Sequence, residues 1–199
     1  RDIQCIKADV LFQAVPTHIN RKYCSTHHAR IVRHLLEQKL HINGTSKKPI
    51  KHQKIYISRT KLAREQRCFP EEQQLVELLS KKDWIIFHPQ EHPIEKQLAT
   101  YQTARNLCSL EGSALHLLFG INCINPPNII LVCRKKKNNF TRQLKAQTIE
   151  HHVLNWLEDN PNCTKPPARR DVNLKTGITI DALANAIEKY AASGVIDEG

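Results

Sequence analysis

Short apolar runs alternate along the middle of the chain with longer stretches whose apolar residues recur at helical spacing. The runs are rich in β-branched residues, are too short for helices, and have the near-continuous hydrophobic character of strands buried on both faces. They occupy residues 54–58, 84–88, 107–110 and 129–133. The pattern predicts four strands of one parallel sheet.

The stretches between these strands predict helices over residues 70–80, 94–104 and 113–120. The first of them begins with Pro70 followed by Glu71 and Glu72, which is typical of a helix N-terminus. Alternation of strands and helices is typical of a parallel sheet covered by helices. We therefore expect an α/β fold with a Rossmann-like parallel sheet and helices on both faces.

The sequence on either side of this core predicts further helices and linkers. Asn43 and Gly44 are the stop signal of the upstream helix, and the last helix begins at Thr179 or Asp181 as N-cap. The segments are a helix over 26–40, a basic linker over 47–51, a charge run over 134–137, a helix over 141–157, a proline-rich breaker over 160–167 and an amphipathic helix over 179–192.

The chain of 199 residues carries a formal charge of +11, from 30 Lys and Arg against 19 Asp and Glu. This balance indicates anionic partners and leaves nucleic acid, nucleotide phosphates, acidic polysaccharide and an anionic membrane surface open. An apolar share of 40% is enough for a folded core. No apolar stretch approaches the roughly 18 to 20 residues that span a bilayer, so no transmembrane segment is predicted.

Seven cysteines are scattered along the chain and form no C-x-x-C pair. An odd and scattered set is not the pattern of a structural zinc site or a disulfide framework. Cys108 and Cys133 lie within predicted strands, where thiols behave as small core residues. The cysteines favour a reducing cytosol, and we expect a cytoplasmic protein.

A first candidate site follows the first predicted strand, where Ser58 and Arg59 lead into a loop with Lys61, Arg64 and Arg67. Ligands of open α/β sheets bind outside the carboxyl ends of the strands, so a cation there can reach a bound phosphate. The alternative is a solvated basic loop.

A second candidate site is the turn from the third strand into the helix that follows. Its glycine lets the backbone approach a ligand, and free amides at the helix start suit a phosphate or carboxylate. This favours a diphosphate cradle, although the turn is neither a P-loop nor a G-x-G-x-x-G fingerprint and could be only a tight turn. Its residues are Glu111, Gly112, Ser113, Ala114, Leu115 and His116.

The sequence contains no H-E-x-x-H, G-x-S-x-G or D-x-D motif, and we predict no metal site. Histidine pairs at 27–28 and 151–152 would point to different faces of a helix, so neither pair can chelate a metal jointly. We interpret them as surface histidines. The charge run over 134–137 lacks interleaved aromatic residues, which favours a solvated strand exit over a nucleic-acid site.

Residues 55–116 resemble the C-terminal half of glycosyltransferase family 61 in the order and spacing of several motifs. In that family a strand ending in Ser-Arg precedes R-R-I-x-N-E-x-E-L, a G-F-x-V-x-P-E strand exit, an E-Q with a helix ending in Ala, and an h-G-A-G-L turn. The corresponding segments here are 58–59, 67–75, 84–90, 95–97 with Ala104, and 111–115. Departures from the family pattern occur at Cys68, Glu71, Glu111, Ser113 and Ala114.

The resemblance implies a GT-B architecture whose C-terminal domain binds a nucleotide-sugar donor, and sugar transfer to a glycan acceptor with inversion and without a metal or other cofactor. Arg59 and the amides of 112–115 would stabilise the leaving diphosphate. Glu111 and His116 are the candidate catalytic residues, with the alternatives of a carboxylate paired to Arg59 and a helix residue facing the sheet. The nucleotide- and diphosphate-binding residues implied are Ser58, Arg59, Arg67, Gln97, Gly112, Ser113, Ala114 and Leu115.

The resemblance also implies three parts. Residues 1–50 form a helical and linker segment, the remnant or edge of an N-terminal domain; 51–160 form the Rossmann-like nucleotide-sugar-binding domain; 161–199 form a C-terminal linker and helix. Two GT-B domains need more than 199 residues, and the chain has no Met and begins at Arg1. We therefore expect that an N-terminal domain, or a partner in its place, is absent from this chain.

The setting expected from the resemblance is bacterial surface or capsular polysaccharide synthesis, in the cytoplasm or peripherally at the inner face of the membrane. One alternative is a non-catalytic basic α/β module that binds nucleic acid or an acidic polymer through cations on one outer face, such as Lys47, Lys48, Lys51 and 134–137. Another is a degenerate transferase retained for assembly. If the sheet is parallel, Arg59 and the turn at 111–116 share its carboxyl edge.

Overall fold

The computed structural model describes residues 18–19, 23–39, 53–62, 69–121, 126–136, 138–164 and 171–193. The strands are β1 (His18–Ile19), β2 (Tyr23–Cys24), β3 (Gln53–Ile57), β4 (Trp84–Phe87), β5 (Ala104–Leu110), β6 (Asn128–Val132), β7 (His151–Leu154), β8 (Leu157–Asp159) and β9 (Val172–Leu174). The α-helices are α1 (Thr26–Lys39), α2 (Glu72–Ser80), α3 (Ile94–Thr103), α4 (Asn139–Ala146) and α5 (Ile180–Ser193). Short 3-10 helices span Pro89–Glu91 and Ser113–Gly120.

The centre of the fold is a five-stranded sheet in the order β4-β3-β5-β6-β7. All four pairings within it are parallel. Small antiparallel pairs, β1 with β2 and β8 with β9, lie outside this sheet. The expected α/β, Rossmann-like fold is confirmed, with β7 as a strand that the sequence pattern did not predict.

Helices cover both faces of the sheet, because successive strand residues point to opposite sides. On one side Tyr56 and Cys108 pack with α2 and α5 in one hydrophobic cluster. On the other side Ile55 and Leu107 pack with α3, the 3-10 helix at 113–120 and α4. The helix α1 packs outside that layer, where His28 meets Phe119 edge-on with ring centroids 5.7 Å apart.

The prediction that Cys108 and Cys133 are core residues is confirmed, since both are fully buried and free. Burial raises the pKa of the Cys133 thiol to about 12, and the nearby Glu111 charge acts in the same direction. The pKa of Cys108 is also raised well above its usual range by burial. Both thiols therefore stay protonated and unreactive at neutral pH.

The predicted helix over 141–157 is wrong in its second half. The helix α4 ends at Ala146, and the chain returns as β7 and β8. Thr148 adopts a left-handed backbone with φ of 58°, and Ile149 donates its amide to the Leu144 carbonyl at 3.0 Å, which closes the helix end. A threonine at this position gives no glycine-like stop signal, because β-branched residues rarely adopt positive φ.

The last helix begins where one of the two predicted caps places it. The Thr179 hydroxyl accepts a hydrogen bond from the amide of Ala182 at 3.2 Å. Thr179 is therefore the N-cap, and Asp181 lies in the first turn. No helix in the described part of the chain is both long and apolar enough to cross a membrane.

Candidate functional site

The order of the strands creates a topological switch point between β3 and β5. From β3 the chain moves outward to β4, then crosses back over β3 to form β5 on its other side. Connections that leave two neighbouring strands in opposite directions open a crevice at their carboxyl ends, which is where open α/β sheets bind ligands. The residues that follow β3 and β5 are Ser58, Arg59, Glu111 and Gly112.

Arg59 and the turn after β5 lie against each other at this point, as the parallel topology predicts. The guanidinium Nη1 of Arg59 donates to the backbone carbonyl of Glu111 at 3.3 Å. A side chain at Gly112 would place its Cβ 3.5 Å from Cδ of Arg59. Gly112 has an extended backbone with φ of −176°, which any residue can adopt, and a separation of 3.5 Å is ordinary van der Waals contact, so neither the backbone nor the neighbouring arginine requires a glycine here.

A buried carboxylate holds the loop that carries Arg59. Glu72, the first residue of α2, is only 3% exposed. Its Oε1 accepts from the Arg59 amide at 2.7 Å, from the Tyr56 hydroxyl at 3.2 Å and from the Ser58 hydroxyl at 3.4 Å. Burial raises the pKa of Glu72, while the bond from the Arg59 amide and the Arg59 charge oppose that rise. Glu72 therefore fixes the backbone from which the Arg59 side chain extends.

Replacing Glu72 by Gln is expected to flatten the pH dependence of stability. Its folded pKa lies above the ordinary 4.5, so the folded state binds the proton more tightly than the unfolded chain. That stability is present below pH 4.5 and is lost as the pH rises through the raised pKa. Urea unfolding from about pH 4 to about pH 8 should show the wild type losing free energy relative to Glu72→Gln.

The control for this prediction is Glu77→Gln, an exposed carboxylate on the same helix. Its curve should follow the wild type across the pH range. Parallel curves for wild type and Glu72→Gln would contradict the assignment of the raised pKa to Glu72.

Glu111 is buried, at 7% exposure, and its carboxylate forms an ion pair with Nε of Arg134. A second nitrogen of that guanidinium, Nη1, pairs with Asp159 on β8. The chain of contacts ties the turn after β5 to the end of β6 and to the β8 strand. The carboxylate is thus engaged by Arg134, beside the carbonyl of the same residue that receives Arg59. The charge run over 134–137 was predicted to be a solvated strand exit. Its first residue, Arg134, instead forms ion pairs within the fold.

His116 lies on the surface and is oriented by α4. Its Nδ1 is 2.9 Å from Oε1 of Gln143, while Nε2 of Gln143 donates to the Leu115 carbonyl at 3.0 Å. Because the amide nitrogen of Gln143 is the donor in that bond, its oxygen Oε1 accepts a hydrogen bond from the protonated Nδ1 of His116. In the neutral ring, Nε2 then carries the lone pair. The ring leans on Phe140 with centroids 5.1 Å apart, so it lies on α4 and does not face the sheet.

The other residues of the predicted set differ in what they can offer a ligand. Leu115 is fully buried and its amide donates to the Gly112 carbonyl at 3.1 Å. The amides of Ser113 and Ala114 lie before this first hydrogen bond of the 3-10 helix. Amides in that position are suited to donate hydrogen bonds to an anion. Arg67 lies outside the described residues.

Gln97 forms hydrogen bonds with the turn that follows β4, the strand next to β3. Its Nε2 donates to the carbonyls of Pro89 and His92, both at 2.8 Å, and so holds the turn that follows β4. Lys61, in the loop after β3, pairs with Glu91 of the same turn at 2.9 Å. The side chains of Gln97 and Ser58 both have hydrogen-bond partners inside the protein. Their predicted contacts with a ligand stay predictions.

Sequence reasoning missed three residues of this site: Glu72, Arg134 and Gln143. Glu72 was interpreted only as a helix-start residue, although it stands at the first glutamate of the family segment R-R-I-x-N-E-x-E-L. Arg134 was grouped with neighbouring lysines, and nothing in its local sequence distinguishes it from them. Gln143 was placed on a helix without a role, since a lone polar residue carries no partner information.

The interpretation of His151 and His152 as surface histidines on a helix is wrong. Both lie on β7 and are half-buried, with the His152 ring stacked on Tyr190 at 4.6 Å. Across the described ranges, no cluster of three His, Cys, Asp or Glu side chains is arranged to hold a metal ion.

Comparison with known families shows which family the sequence matches. The sequence model of the family described as Glycosyltransferase 61 matches residues 6–122, which is more than half of the chain. The match includes β3, β5 and the turn at 111–116, and it ends before β6. No curated protein matches the chain.

Proposed function

The chain belongs to glycosyltransferase family 61, and we propose that it transfers a sugar from a nucleotide-sugar donor to a glycan acceptor at the β3–β5 switch point. The contact between Arg59 and the turn at Glu111 and Gly112 is the observation that carries this proposal. This contact places the guanidinium of Arg59, which is planar and permanently charged, beside the amides at the start of the 3-10 helix. The guanidinium and these amides together suit a diphosphate.

In the proposed reaction an acceptor hydroxyl attacks the anomeric carbon from the side opposite the diphosphate. The new carbon–oxygen bond forms as the bond to the diphosphate oxygen breaks, so the configuration is inverted. The diphosphate leaves with the electron pair, and its growing charge is stabilised by Arg59 and by the amides of Ser113 and Ala114. Because these groups supply the electrostatic stabilisation and the sequence has no D-x-D motif, we propose transfer without a metal.

We assign the base that accepts the acceptor proton to His116. Its neutral ring carries the lone pair on Nε2, and Gln143 fixes the ring through Nδ1. Glu111 is the poorer candidate, since its buried carboxylate is engaged by Arg134. We propose that Glu111 instead positions the carbonyl and the turn against Arg59.

Replacing His116 by Ala should lower kcat by about 10²- to 10⁴-fold, the usual contribution of a general base. Donor affinity should be unchanged, because the imidazole acts on the acceptor. The control is His34→Ala, an exposed histidine on α1 that should leave kcat unaltered. A kcat within threefold of wild type for His116→Ala would remove the residue from the mechanism.

The test of the function itself is a thermal-shift panel of UDP, GDP, CMP and their sugars, with and without EDTA. A ligand at 100 times its dissociation constant adds about 2.7 kcal/mol of stability. A shift with one nucleotide and its sugar that survives EDTA is the expected result. No shift with any nucleotide, together with a clear shift with RNA, would favour the non-catalytic basic module.

The wider setting is also proposed rather than observed. We propose that the sheet is the donor-binding half of a GT-B enzyme, acting in the cytoplasm in surface polysaccharide synthesis. The family and the positive charge of the chain support this, since many surface glycans are anionic.

A further inference from the structure

A cavity lies along β7, at the edge of the sheet. It has a volume of about 530 Å³ and lies between α4, β7 and the end of α5. We call it the β7 pocket and define it by Lys136, Arg142, Lys145, His151, His152 and Tyr190. It falls beyond residue 122, so the family match does not extend to it.

The β7 pocket is positively charged. Thr141 and Val153 also line the pocket, and no carboxylate is among the lining residues that the structure describes. Neither Lys136 nor Lys145 has an ion-pair partner within the described ranges. Cations gathered in a concave surface focus a positive potential and attract anions.

The cations are spread along the pocket rather than gathered at one point. Arg142 and Lys145 are three residues apart on one face of α4, and Lys136 precedes the other end of that helix. The eight residues of α4 span about 12 Å. This spacing suits a linear molecule with repeated single charges better than one compact phosphate.

The pocket also contains a flat ring surface. His152 and Tyr190 stack with centroids 4.6 Å apart and an interplanar angle of 28°. Binding sites combine such apolar faces with a few polar groups, and a volume of about 530 Å³ is in the range of small-molecule sites. Nucleic-acid grooves use several exposed aromatic platforms, whereas this pocket has one stacked pair whose Tyr190 is half-buried.

We propose that the β7 pocket binds an acidic saccharide, a chain bearing uronic-acid carboxylates. The assignment of this saccharide as the acceptor substrate rests on the proposed function, whereas the proposal that the pocket binds it does not. The sheet order places β7 two strands from β5 and three from β3, or about 10 and 14 Å at the usual strand spacing. Lys136 follows β6 on the carboxyl side of the sheet, whereas His151 and His152 begin β7 on its amino side. An acceptor polymer held here would therefore run along the β7 edge of the sheet and would not occupy the donor site.

The proposal is tested by titrating a galacturonic acid oligomer into labelled protein, with a maltose oligomer of equal length as the neutral comparison. The double variant Lys136→Gln with Lys145→Gln should weaken binding of the acidic oligomer by about tenfold or more. The matched control is Lys81→Gln with Lys96→Gln, two exposed lysines outside the pocket, which removes the same net charge. The control variant should bind as the wild type does.

Equal affinity for the acidic and neutral oligomers, or equal loss in both double variants, would overturn the proposal. Tighter binding of oligothymidylate than of the acidic saccharide, lost in the pocket variant, would replace it with a nucleic-acid site. Nucleotide thermal shifts, measured on the same variants, separate the two proposals. If the protein binds the acidic oligomer but no nucleotide changes its thermal stability, the proposed transferase function is wrong and the proposed saccharide site is still supported.

Discussion

Replacing Arg134 by Ala is expected to lower the free energy of unfolding by about 3 kcal/mol, the lower end for breaking a buried ion pair. The carboxylate of Glu111 is 7% exposed and would lose the guanidinium that faces it, and Asp159 would lose its partner as well. We place the loss at the lower end because the Arg134 side chain is 24% exposed and water screens part of the interaction. Urea unfolding followed by tryptophan fluorescence measures the change.

A double-mutant cycle isolates the electrostatic part of this loss. Adding Glu111→Gln to Arg134→Ala removes the buried charge that has lost its guanidinium, so the double variant should be more stable than Arg134→Ala alone. Lys135→Ala, at the exposed neighbouring position, should change stability by less than about 0.5 kcal/mol. An Arg134→Ala variant as stable as Lys135→Ala would show that the ion pair contributes nothing.

Replacing Arg59 by Ala should weaken nucleotide binding by about one to two orders of magnitude. The loss corresponds to a charge-assisted hydrogen bond of roughly 1.5 to 3 kcal/mol. The Arg59 amide that Glu72 holds is unaffected by the substitution, so the loop should keep its backbone position. Calorimetric titration with the nucleotide that gives the largest thermal shift measures the dissociation constant.

Two variants make the Arg59 result specific. Arg59→Lys keeps the charge but loses the planar fork, and it should bind with intermediate affinity. Arg105→Ala removes an arginine at the amino end of β5, the opposite edge of the sheet, and should bind as the wild type does. Unchanged affinity in Arg59→Ala would refute the donor site at the switch point.

The two predictions concern neighbouring atoms but different quantities. Arg134 pairs with the Glu111 carboxylate and supports the turn, whereas Arg59 contacts the Glu111 carbonyl and is the residue that we propose to bind the diphosphate. Arg134→Ala should therefore appear mainly in unfolding, and Arg59→Ala mainly in binding. An effect of Arg134→Ala on nucleotide affinity would follow from a displaced turn, and Glu111→Gln should then reproduce it.

The sequence determined the parts of the fold that depend on local pattern. Apolar runs predict β3, β4, β5 and β6 because a parallel sheet buries both faces of its strands. Parallel strands end at one edge, so the pattern also placed Arg59 and the turn at 111–116 together although more than fifty residues separate them. That inference needed the direction of the strands and no knowledge of side-chain contacts.

The tertiary structure alone decided which partners the charged and polar groups have. Nothing near Glu72 in sequence shows that its carboxylate accepts bonds from Tyr56, Ser58 and the Arg59 amide, because those donors come from a different element. The end of α4 at Thr148 and the pairing of β7 with β6 likewise depend on packing that overrides local preference. Periodicity specifies which face of an element is buried, but hydrogen-bond and ion-pair partners depend on the three-dimensional arrangement of elements far apart in the chain.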